Sequence, residues 1–223
     1  MIRVNDLSKT YRKNTKNPVL ALKGINFKIK EGDIVGIVGT SGSGKSTLLN
    51  ILGGLDREYD GEVLIEDKDI KKYDQNIFRR KMVGTVFQQF NLLGTLTVLE
   101  NVLVPITFGK QMPKAQSVER AKSLLTRVGL GDRLYHKPNE LSGGQMQRVA
   151  IARGLIAGPR ILLAAAPTGN LDSKTGDEIM NLLKELNQEE KMTLLIVTHD
   201  SELVSSLEHK IYLRDGEVVE EKK

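Results

Sequence analysis

Apolar residues Leu20, Leu22, Ile25, Phe27 and Ile29 largely alternate with polar ones, which predicts a strand with one exposed face. Glu31-Gly32-Asp33 breaks that pattern, and the continuous run Ile34-Val35-Gly36-Ile37-Val38 then predicts a strand buried on both faces. Short apolar runs at Val83 to Phe87, Ile161 to Ala164 and Thr193 to Val197 repeat the second kind. Between them lie segments of helical period, including Asp177 to Gln188, whose Ile179, Leu182, Leu183 and Leu186 form one stripe. Strands alternating with helices predict an α/β fold around a parallel sheet covered on both faces.

From Phe90 to Gly158 the strand signal stops. Val118, Ala121, Leu125 and Val128 recur at helical spacing, and so do Met146, Val149, Ala152, Leu155 and Ile156. Residues 91–157 are therefore expected to form a mostly helical subdomain inserted into a core made of 1–90 and 158–223. The N-terminal strands and Glu62 to Ile65 predict a small antiparallel β part. Asp215-Gly216, between Ile211-Tyr212-Leu213 and Val218-Val219, predicts a hairpin. The charged residues 220–223 are expected to fray.

Composition narrows the function classes. Hydrophobic residues at 39% and charged residues at 27% are ordinary for a globular chain, and a net charge of +5 is too mild and too interspersed to argue for nucleic acid. With no cysteine, disulfides, thiolate metal sites and Cys nucleophiles are excluded, and a reducing compartment is compatible. No apolar run approaches the roughly 18 to 20 residues of a membrane helix, and the N-terminus lacks the apolar stretch of a signal peptide.

The chemistry begins at Gly39-Thr40-Ser41-Gly42-Ser43-Gly44-Lys45-Ser46, which fits G-x-x-x-x-G-K-[ST] between the buried strand 34–38 and the helix-forming run Thr47 to Leu52. Glycines let the backbone curl until successive N–H groups face one anion, and the helix start adds its positive dipole end. Lys45 is expected to neutralise the outer phosphates and Ser46 to offer its hydroxyl to Mg²⁺. The plain alternative is a flexible Gly/Ser turn with a surface lysine, against which the flanking strand and helix argue. A second anion cradle lies at Leu141-Ser142-Gly143-Gly144-Gln145, where Ser142 is placed to cap the helix Met146 to Ala157. One nucleotide does not need two cradles in one chain, whereas two chains packed head to tail could close each other's sites.

The phosphate loop, Gln88 in VFQQFNLL, LSGGQ, ILLAAAPTGNLDS and His199 in IVTHD follow in an order that resembles the ATP-binding subunits of ABC transporters over almost the whole chain. GGLDREYDGEV, VFQQFNLL and PTGNLDS look most like the lipoprotein-releasing and macrolide- or peptide-exporting group. The resemblance implies a P-loop nucleotide-binding core and an ATPase that uses Mg²⁺. It also implies an ATP-dependent head-to-tail homodimer acting on a separate transmembrane permease subunit at the cytoplasmic face of the membrane, without nucleic acid. It assigns nucleotide contacts to Gly39 through Thr47, adenine stacking to Tyr11, and Mg²⁺ ligation to Ser46 and Gln88. Gln88 would also hold the attacking water, and His199 would bond the γ-phosphate. Ser142, Gly143, Gly144, Gln145 and Asp172 would act in trans. Each has a purely structural reading beside it: a half-buried strand tyrosine, an idle glutamine, a structural histidine, and a helix N-cap at Asp172.

The sequence departs from the family pattern at Ala165-Ala166, where the pattern has Asp-Glu. The family's first acid holds the Mg²⁺ shell and its second polarises water, so Ala165 is a vacant metal-shell position and Ala166 a vacant general-base position. Losing a general base typically removes about 10² to 10⁴ in rate, and slow hydrolysis is expected. A degenerate ATPase and an ATPase disarmed to trap its ATP state both fit. The intact Lys45, Gln88, Ser142, Gln145 and His199 favour the second. Phe90, Leu92 and Leu93 are the expected coupling surface. The competing reading is a signalling or cell-wall-control module that acts on a membrane partner without moving cargo.

Overall fold

Chain order runs β1 (Ile2–Tyr11), β2 (Val19–Ile29), β3 (Ile34–Val38), α1 (Lys45–Leu52), β4 (Asp60–Ile65), β5 (Lys68–Asp69) and a single turn α2 (Gln75–Ile77). It continues with β6 (Val83–Val86), α3 (Val98–Thr107), α4 (Lys114–Arg127), α5 (Gly143–Leu155), β7 (Ile161–Ala165) and α6 (Ser173–Glu190). The last elements are β8 (Thr193–Thr198), α7 (Ser201–Ser205), β9 (His209–Arg214) and β10 (Glu217–Lys222). The structure, a computed structural model, describes residues 1–107, 113–198 and 200–223.

The alternating segments pair antiparallel in a four-stranded sheet of order β2-β1-β4-β5. The continuous apolar runs form the centre of a six-stranded sheet of order β10-β9-β3-β8-β7-β6. From β9 to β6 every pairing is parallel, and the inner strands β3, β7 and β8 carry apolar residues on both faces, as a sheet covered on both sides requires. In β7, Leu162 and Ala164 enter one core while Ile161 and Leu163 enter the other, and in β8 Leu194 and Ile196 oppose Leu195 and Val197 in the same way. One core lies under α3 to α6, and the other joins the parallel sheet to α1 and the antiparallel sheet. Truncating a fully buried residue such as Leu163 to Ala would cost about 2–5 kcal/mol.

Between residues 87 and 160 the described residues contain helices and loops and no strand. Two local expectations need correction. Helix α5 starts at Gly143, three residues before the apolar periodicity, because a capping box rather than hydropathy sets its start. Residues 220–222 do not fray but continue β10, with Glu220, Glu221 and Lys222 paired to Tyr212, Ile211 and Lys210. Charge on an edge strand is compatible with pairing and guards the open side.

Candidate functional site

Strands β3, β8, β7 and β6 lie side by side and run in the same direction, so their carboxyl ends share one sheet edge. Ligands of open α/β sheets bind along that edge. Gly39 to Ser46 follow β3, Ala166 follows β7, and Gln88 lies two residues beyond β6. His199 follows β8 directly and lies outside the described residues.

The phosphate loop is shaped by close backbone approach. A Cβ on Gly39 would stand 2.3 Å from the Leu213 carbonyl oxygen, and one on Gly44, which has φ of 100°, would stand 2.7 Å from that of Ala21. The turn between β9 and β10 props the loop: Gly216 N donates to Ser43 O (3.2 Å), and Lys23 N donates to Gly216 O (2.8 Å). Helix α1 starts from this loop with no side-chain cap and no acid in its first turn, so its terminal N–H groups stay available to an anion. Lys45 Nζ folds back and donates to the carbonyls of Gly39 (2.8 Å) and Thr40 (2.6 Å) and to Ser43 Oγ (3.3 Å). Partial burial lowers the Lys45 pKa because desolvation disfavours the ammonium, and a negative ligand beside it would offset that cost. Ser46 and Thr47 lie in the first turn of α1, with Ser46 exposed. Among the described residues no group of three or more His, Cys, Asp or Glu side chains is arranged to hold a metal.

At the end of β7, Ala165 pairs with Val197, and Ala166 takes a left-handed conformation with φ of 44°. Ala166 N donates to Val197 O (2.7 Å), and Ala166 O accepts from Gly169 N (3.1 Å). A non-glycine residue in this region costs on the order of 1–3 kcal/mol, and these two bonds over-determine it. Gln88, beyond β6, is half-buried and bonded to the loop that follows β7: its Nε2 donates to Asn170 Oδ1 (3.3 Å), and Asn170 Nδ2 returns a bond to Gln88 O (2.9 Å).

Tyr11 closes β1 opposite Val19, two residues before Ala21, whose carbonyl abuts Gly44. The antiparallel sheet thus carries Tyr11 to the flank of the phosphate loop. Its hydroxyl donates to Asp56 Oδ2 (3.3 Å). Asp56 also accepts from Lys9 Nζ at 2.8 Å. Burial pushes the Asp56 carboxyl up, but Lys9, the Glu58 amide and Tyr11 outweigh it and hold its pKa below the ordinary value.

The second cradle is a formed helix cap. Ser142 Oγ accepts from Gln145 N (3.3 Å), and Gln145 Oε1 accepts from Ser142 N (3.0 Å), leaving Ser142 exposed with no acceptor for its hydroxyl proton among the described residues. Gly144 has a packing role too, since a Cβ there would meet the Thr175 methyl at 2.5 Å. Asp172 caps α6, accepting from Thr175 Oγ1 (2.6 Å) and Thr175 N (3.0 Å). Those bonds, the hydroxyl first, hold its pKa below the usual carboxylate value.

Residues that sequence reasoning passed over tie these pieces together. Arg153 of α5 donates to Phe90 O and Asn91 O, both at 2.6 Å, and those two residues have φ of 57° and 50°. Asn101, fully buried in α3, accepts from Leu93 N (2.8 Å) and donates to Leu93 O (3.1 Å). The segment after Gln88 is therefore fastened at both ends, with Leu93 half exposed. Beside it lies a groove of about 340 Å³ lined by Arg79, Arg80, Phe87, Val104, Pro105 and Arg153. A single charge inside the apolar stretch Val149 to Leu155 was the available signal for Arg153.

The ABC transporter family model matches residues 22–169. The chain is 51% identical over 223 residues to an uncharacterized ABC transporter ATP-binding protein of Methanocaldococcus jannaschii, covering 99% of this chain and 98% of that one. It is 46% identical over 222 residues to the lipoprotein-releasing system ATP-binding protein LolD of Syntrophus aciditrophicus, covering 98% and 99%. It matches the macrolide export ATP-binding/permease protein MacB of Syntrophobacter fumaroxidans at 44% identity, covering 97% of this chain but 31% of MacB. Its fold is similar, with a TM-score of 0.88 and 47% identity over 100% of this chain and 98% of the other, to an ATP-binding cassette solved as a dimer in a post-hydrolysis state with ADP and Pi.

Proposed function

We propose, from the premise that this chain belongs to the ABC transporter ATP-binding family, that it grips ATP with Mg²⁺ at the phosphate loop, closes head to tail on a second copy, and passes that closure to a transmembrane permease subunit at the cytoplasmic face of the membrane. The family is one of ATPases, and the chain is an ATP-binding subunit. Export or lipoprotein and peptide handling is the work proposed for the complex, in line with the relatives LolD and MacB.

The reading is carried by one observation: the chain has two phosphate-receptive helix starts of opposite character. The start of α1 is uncapped and backed by Lys45, while the start of α5 is capped internally and presents the Ser142 hydroxyl outward. The first suits the nucleotide of its own chain, and the second suits the outer phosphates of a partner's nucleotide. A two-fold axis lets the same two surfaces complete each other twice.

The residues divide the work accordingly. Amides of Gly39 to Thr47 would cradle the phosphates and Lys45 would swing from its own carbonyls to neutralise them. Tyr11 would stack on the base. Ser46 and Gln88 would offer neutral oxygens to Mg²⁺, which supplies charge neutralisation at the phosphates when bound. Gln88 and His199 would face the γ-phosphate, with Asp172 near the closing surface. Ala165 and Ala166 provide no carboxylate for the metal shell or for activating water, so the closed dimer would decay slowly. Domain organisation follows the same logic: the helical subdomain at 91–157 would carry the trans surface, and the exposed Leu93 with its neighbouring groove would meet the permease.

Light scattering with ATP, with ADP and without nucleotide tests this reading. A dimer that forms with ATP and is lost in Ser142→Arg supports it. A monomer under all conditions, or a dimer indifferent to Ser142→Arg, overturns it.

A further inference from the structure

The inward-facing positions of β1 are apolar and buried at Ile2, Val4 and Leu7, and then the pattern is broken by Lys9, which is 5% exposed. A buried ammonium is costly unless its charge and its N–H groups are all met. Here Lys9 Nζ donates to Asp56 Oδ1 (2.8 Å) and to Glu58 O (2.5 Å), and it stands over the Tyr11 ring, 4.8 Å from the ring centre. Asp56 uses both oxygens: Oδ1 also accepts from Glu58 N (3.0 Å), and Oδ2 accepts from the Tyr11 hydroxyl (3.3 Å). The ring is thereby fixed at its tip and covered on one face.

We infer that Lys9 and Asp56 are positioning residues for base recognition, holding Tyr11 with one ring face covered and the other offered to the adenine of the bound nucleotide. The inference rests on the reading of Tyr11 as the base-stacking residue. Two physical effects follow. A tyrosine fixed before the ligand arrives has less rotamer freedom to lose on stacking, which is worth about threefold to tenfold in affinity. The ammonium also draws π density toward its own side, leaving the opposite face better suited to an electron-rich purine. The pair joins β1 to the loop after α1, so the base platform and the helix that starts at Lys45 are held in one frame.

The test separates base from phosphate. Calorimetric titration of ATP and of inorganic triphosphate would be compared for the parent chain, Lys9→Met, Asp56→Asn, the two substitutions combined, and Tyr11→Ala, with circular dichroism to establish folding. The expected result is that Lys9→Met weakens ATP about threefold to tenfold while triphosphate binding is unchanged. The combined variant, which leaves no lone buried charge, carries the test if Lys9→Met fails to fold. Equal weakening of ATP and triphosphate, or no change in either, overturns the inference. If Tyr11→Ala lowers ATP affinity while the Lys9 and Asp56 variants do not, stacking stands and positioning falls. If Tyr11→Ala leaves ATP affinity unchanged, the stacking reading itself fails and takes the inference with it.

Discussion

The carboxyl ends of β3 and β7 lie on the same sheet edge with only β8 between them, yet they are furnished in opposite ways. After β3 come curled amides, an uncapped helix start and Lys45. At the end of β7 stand two methyl groups, and the first carboxylate beyond them, Asp172, is engaged in capping α6. On the proposed reading, holding a nucleotide and cleaving it are tasks of different strand ends, and the β7 end carries no carboxylate for the second. The backbone at β7 is nevertheless fully bonded, with Ala166 fixed on both its N–H and its carbonyl. The direction of its Cβ is set by the main chain, so acids placed there would inherit a prepared orientation.

That contrast is tested most severely by restoring the second end. Ala165→Asp with Ala166→Glu is expected to raise phosphate release by about 10² to 10⁴, and an unchanged rate would mean that the β7 end lacks more than its side chains. Next, Lys45→Ala should weaken ATP binding about 10- to 100-fold, from the loss of charge-assisted bonds worth about 1.5–3 kcal/mol, measured by calorimetry. Equal affinity would break the comparison from the β3 side. Arg153→Met lies at neither end. It should lower stability by about 1–2 kcal/mol in denaturant titration, since Phe90 O and Asn91 O lose their donors, while leaving ATP affinity of the isolated chain in place. The smallest effect is at Asp172. Its folded pKa is depressed, so its contribution to stability is complete above the unfolded carboxylate value and is lost as pH falls through the folded one. Asp172→Asn should flatten that acid limb of a thermal-melting series.

The phosphate loop and the α5 cap were legible because each is written in contiguous residues: glycines and a lysine between a strand and a helix, and a serine three residues before a glutamine. The parallel core was legible because burial on both faces leaves no polar alternation in β3, β7 and β8. What escaped was contact across the chain. Arg153 reaches carbonyls 62 and 63 residues away, Asn170 reaches Gln88 at a separation of 82, and Lys9 reaches Asp56 at 47. A backbone carbonyl carries no residue-type signal, so nothing at Phe90 or Asn91 announces its partner. The end of β10 escaped for another reason: its pairing is made by the main chain, while its side chains are those of a solvated tail.

The turn at Gly216 brings together segments that are made far apart in time. The phosphate loop leaves the ribosome well before the hairpin that touches Ser43 and crowds Gly39 and Gly44. Until that hairpin has emerged, the loop lacks the backbone contacts that prop its curvature. The shape of an anion-facing loop thereby waits on the closure of a distant hairpin.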